Sequence, residues 1–156
     1  RRQRPQVGDI ELLAVSKVSP ANQQMTFDRP RRIAQVTRYL DHRVGELIAK
    51  GTFDYRLNKL GRRAFGPKNK MLIHVPSGIS VDLFSTTAEN WGMSLLVRTG
   101  SADYCVKVMS RLIALGHRGH AYGGITLQSG EEINCPTEEE VFRILQWPFV
   151  APEQRV

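Results

Sequence analysis

Three carboxylates stand out against apolar, β-rich surroundings. Asp9 and Glu11 lie two residues apart in Val7-Gly8-Asp9-Ile10-Glu11-Leu12-Leu13-Ala14-Val15, and Asp82 is the lone acid in Ile79-Ser80-Val81-Asp82-Leu83-Phe84. Side chains alternate between the two faces of a strand, so Asp9 and Glu11 point the same way. Three anions gathered on neighbouring strands repel one another unless cations neutralise them. Hard carboxylate oxygens favour Mg²⁺ or Mn²⁺, and two such ions together serve in-line phosphoryl transfer. The competing reading, acids solvated or salt-bridged at strand ends, is disfavoured by the spacing and by the flanking Gly8.

The elements that must position these acids are legible in outline. Residues 7–18 read as a buried strand. Asp28 caps a helix with Pro30 in its first turn. Ile33, Val36, Leu40, Val44, Leu47 and Ile48 recur at spacings of three and four, which makes one buried stripe, and Gly51 ends the helix. Arg31, Arg32, Arg38 and Arg43 form its outer, largely solvated face. Strand-like runs near 52–59 and 69–75 follow, and a turn at Pro76-Ser77-Gly78 leads to the strand bearing Asp82. Ser80 and Phe84 share the face of Asp82, whereas Ile79, Val81 and Leu83 take the opposite, apolar one.

Beyond Asp82 the pattern changes. Residues 88–98 read as a short helix or turn containing Trp91, and Thr99-Gly100-Ser101 is a sharp break. Ser101 caps a helix from about 102 to 115. A hairpin turning at Ser129-Gly130 comes next. Thr137-Glu138-Glu139-Glu140 is a capping box that opens a helix ending near Gln146-Trp147. The tail from Pro148 to Arg155 reads as extended. The fold class expected is α+β in two lobes, residues 1–90 and 91–156.

Charge points to the class of partner. The 156 residues are 41% hydrophobic, as a folded globular chain requires, and carry a net charge of +7. Residues 1–70 hold 16 Lys/Arg against 6 Asp/Glu, while residues 71–156 hold 6 against 9. A basic first half around an acidic cluster suits a polyanion whose reacting phosphate is met by cations. The segment from Gly61 through Arg62, Arg63, Lys68 and Lys70 is a basic hairpin tip that can follow a nucleic-acid backbone. It lacks the Gly-Lys-Ser/Thr ending of a nucleotide-binding P-loop. Two cysteines, Cys105 and Cys135, and no signal peptide argue against a disulfide framework and for a reducing, intracellular compartment. No apolar run approaches the ~20 residues of a membrane span. Zinc is a poor reading, because no close cysteine pair occurs and His117 and His120 lie in a glycine-rich turn. Tyr104 and Trp91 sit where core packing is the commoner fate than stacking on bases.

Together these segments resemble the X family of DNA polymerases, the polymerase beta group. Arg1-Arg2 followed by Gly8-Asp9-Ile10-Glu11 resembles the family's arginine-containing loop and paired-acid strand. Val81-Asp82-Leu83 resembles the strand of the third acid, and Arg98-Thr99-Gly100-Ser101 the turn that opens the thumb. Phe142-Arg143-Ile144-Leu145-Gln146-Trp147 and Pro152-Glu153-Gln154-Arg155 resemble the family's C-terminal end.

The resemblance implies a nucleotidyltransferase palm sheet with a packed helix, followed by a small α+β thumb lobe. It implies two-metal nucleotidyl transfer with Mg²⁺ or Mn²⁺, in which Asp9 and Glu11 bind both ions. Asp82 would bind the ion that activates a primer 3′-hydroxyl and help to take its proton. Arg2 would meet the triphosphate, and Arg98, Thr99, Gly100, Ser101 and Cys105 would shape the nucleotide pocket. Arg62, Arg63, Lys68, Lys70 and Met109 would face DNA. The implied partners are a DNA primer-template and dNTPs, with the chain acting as a monomer in gap-filling repair.

The chain departs from the family pattern in three places. Glu11 stands where the family usually has Asp, Val97-Arg98 replaces an aromatic pair, and Cys105 and Met109 stand where polar donors are expected. A Gly-Ser phosphate-binding segment expected ahead of Arg1, and the lyase and fingers-like domains of larger members, are not among these residues. The alternatives are a template-independent or other nucleotidyltransferase, and a catalytically incomplete DNA-binding domain.

Overall fold

The alternation of side chains across strands governs the first half of the fold. In this computed structural model, which describes residues 8–15 and 40–156, the chain divides into two units, Val7–Ser85 and Thr86–Val156. The first unit contains strands β1 (Asp9–Val15), β2 (Phe53–Tyr55), β3 (Asn69–His74) and β4 (Ile79–Thr86), arranged in the order β1-β4-β3-β2. Residues 40–49 are helical and form α1. The parts of the expected strand and helix at 16–18 and 28–39, with Ile33, Val36, Arg31, Arg32 and Arg38, lie outside the described residues.

Strands β2, β3 and β4 are antiparallel, with Tyr55 opposite Leu72 and Leu72 opposite Val81. That row faces the core, where Val44, Leu72 and Val81 are buried together with Leu40, Ile48, Phe53, Phe65 and Leu83 packed around them. Leu40, Val44 and Ile48 are four apart and form the stripe of α1 that meets the sheet. Leu47 lies at the margin of that stripe and is 37% exposed. Gly51 ends the helix at φ 72°, where a side chain would be strained, and Thr52 N–H closes the turn on Leu47 O at 3.0 Å.

The same parity corrects one expectation. Lys70 shares its face with Leu72, so its side chain turns inward and is completely buried. Its Nζ lies 2.6 Å from Asp41 Oδ1 and donates to Gly66 O at 2.9 Å. A cation held in this way belongs to the packing between sheet and helix, and it does not reach a nucleic-acid backbone.

The second unit consists of α2 (Trp91–Thr99), α3 (Ala102–Ala114), α4 (Glu138–Leu145) and a small sheet of β5 (Arg118–Gly119), β6 (Ile125–Thr126) and β7 (Glu132–Ile133), in that order. Its core joins Met93 and Leu96 of α2, Tyr104, Val108 and Leu112 of α3, and Val141, Phe142 and Leu145 of α4, with Ile125 and Cys135. Ser101 Oγ accepts from Tyr104 N–H at 3.1 Å, and Thr137 and Glu140 form the reciprocal capping box at the start of α4. Gly92 lets α2 meet the segment before α4: a Cβ there would lie 2.0 Å from Thr137 O, and its N–H donates to Cys135 O at 2.8 Å. Strand β5 falls in the glycine-rich stretch that reads as a turn, where two residues are too few to show a period.

The tail contains a 3₁₀ turn at Pro152–Gln154, where an extended run was expected. This turn delivers Arg155 into the interior, fully buried. Its Nη1 donates to Glu138 Oε1 at 2.5 Å and to Thr99 Oγ1 at 2.6 Å, and its Nε donates to Val150 O at 2.9 Å. The guanidinium lies 5.5 Å from the Phe142 ring and 5.6 Å from the Phe149 ring. Removing one partner of a buried ion pair strands the other charge at a cost of about 3–5 kcal/mol. Arg155→Met is therefore expected to lower the free energy of unfolding, measured by urea denaturation, by an amount in that range. Arg155→Met with Glu138→Leu is expected to recover part of the loss; a double variant whose loss equals the sum of the two single losses would show the pair to be uncoupled.

Candidate metal centre

Adjacent strands β1 and β4 bring the three acids together. One carboxylate oxygen from each of Asp9, Glu11 and Asp82 lies within 4.8 Å of the others. Asp82 is 6% exposed, while Asp9 and Glu11 stand at the surface. Oxygen ligands on opposite sides of an octahedral Mg²⁺ are about 4.2 Å apart. Small side-chain rotations thus suffice for the trio to close on a hard divalent cation. Among the described residues this is the one group of three metal-ligating side chains placed to do so. His120 instead shares a hydrogen bond with Thr126 Oγ1 at 2.8 Å, and Cys135 is buried.

A fourth side chain, not singled out from the sequence, joins the cluster. Arg56 N–H donates to Met71 O at 3.1 Å, which continues the β2–β3 ladder by one residue, and Met71 is opposite Asp82. Arg56 therefore falls in the same cross-strand row as Asp82, and its Nη2 donates to Asp82 Oδ1. The only sequence signal is that pairing register, which a loop of unknown path between β2 and β3 conceals.

The remaining expected site residues are distributed as follows. Arg2 lies outside the described residues. Arg62, Arg63 and Lys68 are exposed. The tip that carries the first two is held by Asn58, whose Oδ1 accepts from Leu60 N–H at 2.9 Å and Arg62 N–H at 3.0 Å. Arg63 lies over the Tyr55 ring at 4.4 Å. In the second unit, Arg98 reaches Ala121 O at 3.4 Å and lies 5.7 Å from the Tyr122 ring. Thr99 is buried against Arg155, and Ser101 spends its hydroxyl on the α3 cap. Cys105 is half-buried, with its Sγ donating to Val97 O at 3.3 Å. Met109 packs partly against the core, Trp91 is half-buried, and Tyr104 is buried within the core.

The two thiols differ in environment. Burial pushes the Cys135 thiol from 9.0 up to about 11. Its neutral form is thus favoured by folding, and that contribution is lost as pH rises from about 9 to about 11. At pH 8 the folded protein is expected to react with a disulfide reagent at Cys105 only, and at both cysteines in denaturant. Equal rates at both thiols in the folded protein would contradict the burial of Cys135.

Comparison with known proteins follows this geometry. Residues 94–156 match the family model for the DNA polymerase beta thumb. Polymerase beta of Leishmania infantum in a ternary P/T complex superposes with a TM-score of 0.74 at 19% identity, over 100% of this chain and 64% of that chain. The same organism's polymerase beta in a ternary gap complex gives a TM-score of 0.72 at 18% identity, over 99% of this chain and 59% of that chain. The chain thus spans about three fifths of the length of these structures. No curated protein matches the sequence. Among the described residues, no helix is long and apolar enough to cross a membrane. Residues 94–156 thus match the polymerase beta thumb, and the chain as a whole has the fold of polymerase beta.

Proposed function

We propose that the chain is a DNA-directed DNA polymerase that adds dNTPs to a primer 3′-end, in gap-filling repair, with its first unit as the nucleotidyltransferase palm. The convergence of Asp9, Glu11 and Asp82 within 4.8 Å carries this reading. Asp9 and Glu11 would hold two Mg²⁺ or Mn²⁺ ions, with Asp82 as a further ligand to one of them. The ions, when bound, lower the pKa of the primer hydroxyl and neutralise charge on the phosphates.

The primer 3′-oxygen bonds to the α-phosphorus of the dNTP as the bond to the pyrophosphate oxygen breaks. Asp82, the most buried of the three acids, helps to take the hydroxyl proton. Positioning and charge, not a covalent enzyme intermediate, supply the rate. Arg2 meets the triphosphate, where a guanidinium fork matches phosphate oxygens. Arg98, Gly100 and Cys105 line the nucleotide. Arg62, Arg63 and Lys68 meet the DNA backbone through charge, which makes binding salt-dependent. Thr99 and Ser101 act by shaping the turn, since their hydroxyls are engaged within the fold.

The test offers the protein a gapped duplex, a single-stranded primer or no primer, each with dNTPs and Mg²⁺. Templated extension is expected, with a loss of at least about 10²-fold in Asp9→Ala and Asp82→Ala. Extension without a template would move the reading to a template-independent transferase. DNA binding with no extension in any lane would overturn it in favour of a catalytically incomplete DNA-binding domain.

A further inference from the structure

Arg56 stands at a place where no hairpin partner of Asp82 would put it. β3 lies between β2 and β4, so the Arg56–Met71–Asp82 row crosses two strand spacings, about 10 Å. An extended arginine and an aspartate cover that span together, and the ion pair between Arg56 Nη2 and Asp82 Oδ1 does so on the face that carries Asp9 and Glu11. The Arg56 side chain is 30% exposed and that of Asp82 9%, which limits screening by solvent. Guanidinium stays charged at any physiological pH and offers donors in a fixed plane.

We propose that Arg56 is a positioning residue of the acid cluster and its resident counter-charge. It orients the Asp82 carboxylate by occupying Oδ1 and leaves Oδ2 to turn toward Asp9 and Glu11. Divalent ions then bind against its positive charge. The inference rests on the metal-centre reading given above. Two effects of opposite sign follow. Removing the charge strengthens ion binding, because a unit charge about 7 Å from a divalent ion changes affinity by about five- to tenfold even at the dielectric constant of water. Removing the donor plane frees Asp82 to rotate, which slows the chemical step.

The experiment titrates Mn²⁺ into the full chain without DNA or dNTP and follows free ion by electron paramagnetic resonance. Wild type is compared with Arg56→Gln, Arg56→Lys, Asp9→Asn and Asp82→Asn, each checked for its fold by circular dichroism. Asp9→Asn and Asp82→Asn are expected to weaken Mn²⁺ binding. Arg56→Gln is expected to tighten it about five- to tenfold at low salt. Arg56→Lys, which keeps the charge and most of the packing, is expected to bind Mn²⁺ within about twofold of wild type while kcat for primer extension falls about tenfold with KM for dNTP little changed. Unchanged or weaker Mn²⁺ binding in Arg56→Gln, with binding still lost in Asp82→Asn, overturns the role of Arg56 alone. A wild-type kcat in Arg56→Lys also overturns it, and this variant decides the matter if Arg56→Gln does not fold. Mn²⁺ binding unaffected by both acid substitutions overturns the metal centre and this inference with it.

Discussion

Mutual repulsion among three carboxylates on one sheet face is the constraint around which the first unit is built. Carboxylates held this close stay ionised only where water or positive charge compensates them. Strand order meets the first requirement, since β1 beside β4 brings Asp9 and Glu11 to Asp82 while leaving the first two open to solvent. Register meets the second, since the row through Met71 supplies a guanidinium to the acid that is most buried. The opposite face is apolar and packs on α1, which gives the strands a firm backing. An acid cluster on an unsupported hairpin would splay; here the core behind it resists.

The second unit meets the same physics with a different result. Arg155 and Glu138 are both buried, and the pair is closed by Thr99, a backbone carbonyl and two aromatic rings. Neither charged group of that pair faces solvent. It ties the tail to α4 and to the end of α2, so the turn at Thr99-Gly100-Ser101 is held from two sides; Ser101 N–H also donates to Arg155 O at 3.0 Å. One charged cluster is therefore open and suited to chemistry, and the other is closed and suited to holding a fold together.

Legibility from the sequence followed the range of the forces involved. The caps at Ser101 and Thr137, the glycine stop at Gly51, the four-residue spacing of Leu40, Val44 and Ile48, and the shared face of Asp9 and Glu11 are local. Each depends on a few bonds between near neighbours and reads directly from residue types. Lys70 shows how a local rule can be missed: its parity with Leu72 already put it inside, but its charge and its basic neighbours suggested the surface. β5 and the 3₁₀ turn at Pro152–Gln154 are too short to leave a period.

What the sequence determined alone was the longer elements, the face on which each acid stands, and the basic character of the first half. Those follow from backbone periodicity and counted charge. Tertiary structure decided which strands are neighbours, and so that three acids separated by some seventy residues come within 4.8 Å. It also decided that Arg56 reaches Asp82 and that Arg155 is buried with Glu138. Pairing between distant segments depends on register and loop path, which no short stretch of sequence encodes, and the charges involved have identical chemistry in either setting. Only their neighbours in space separate a metal ligand from a surface acid, or an interior lysine from one that meets DNA.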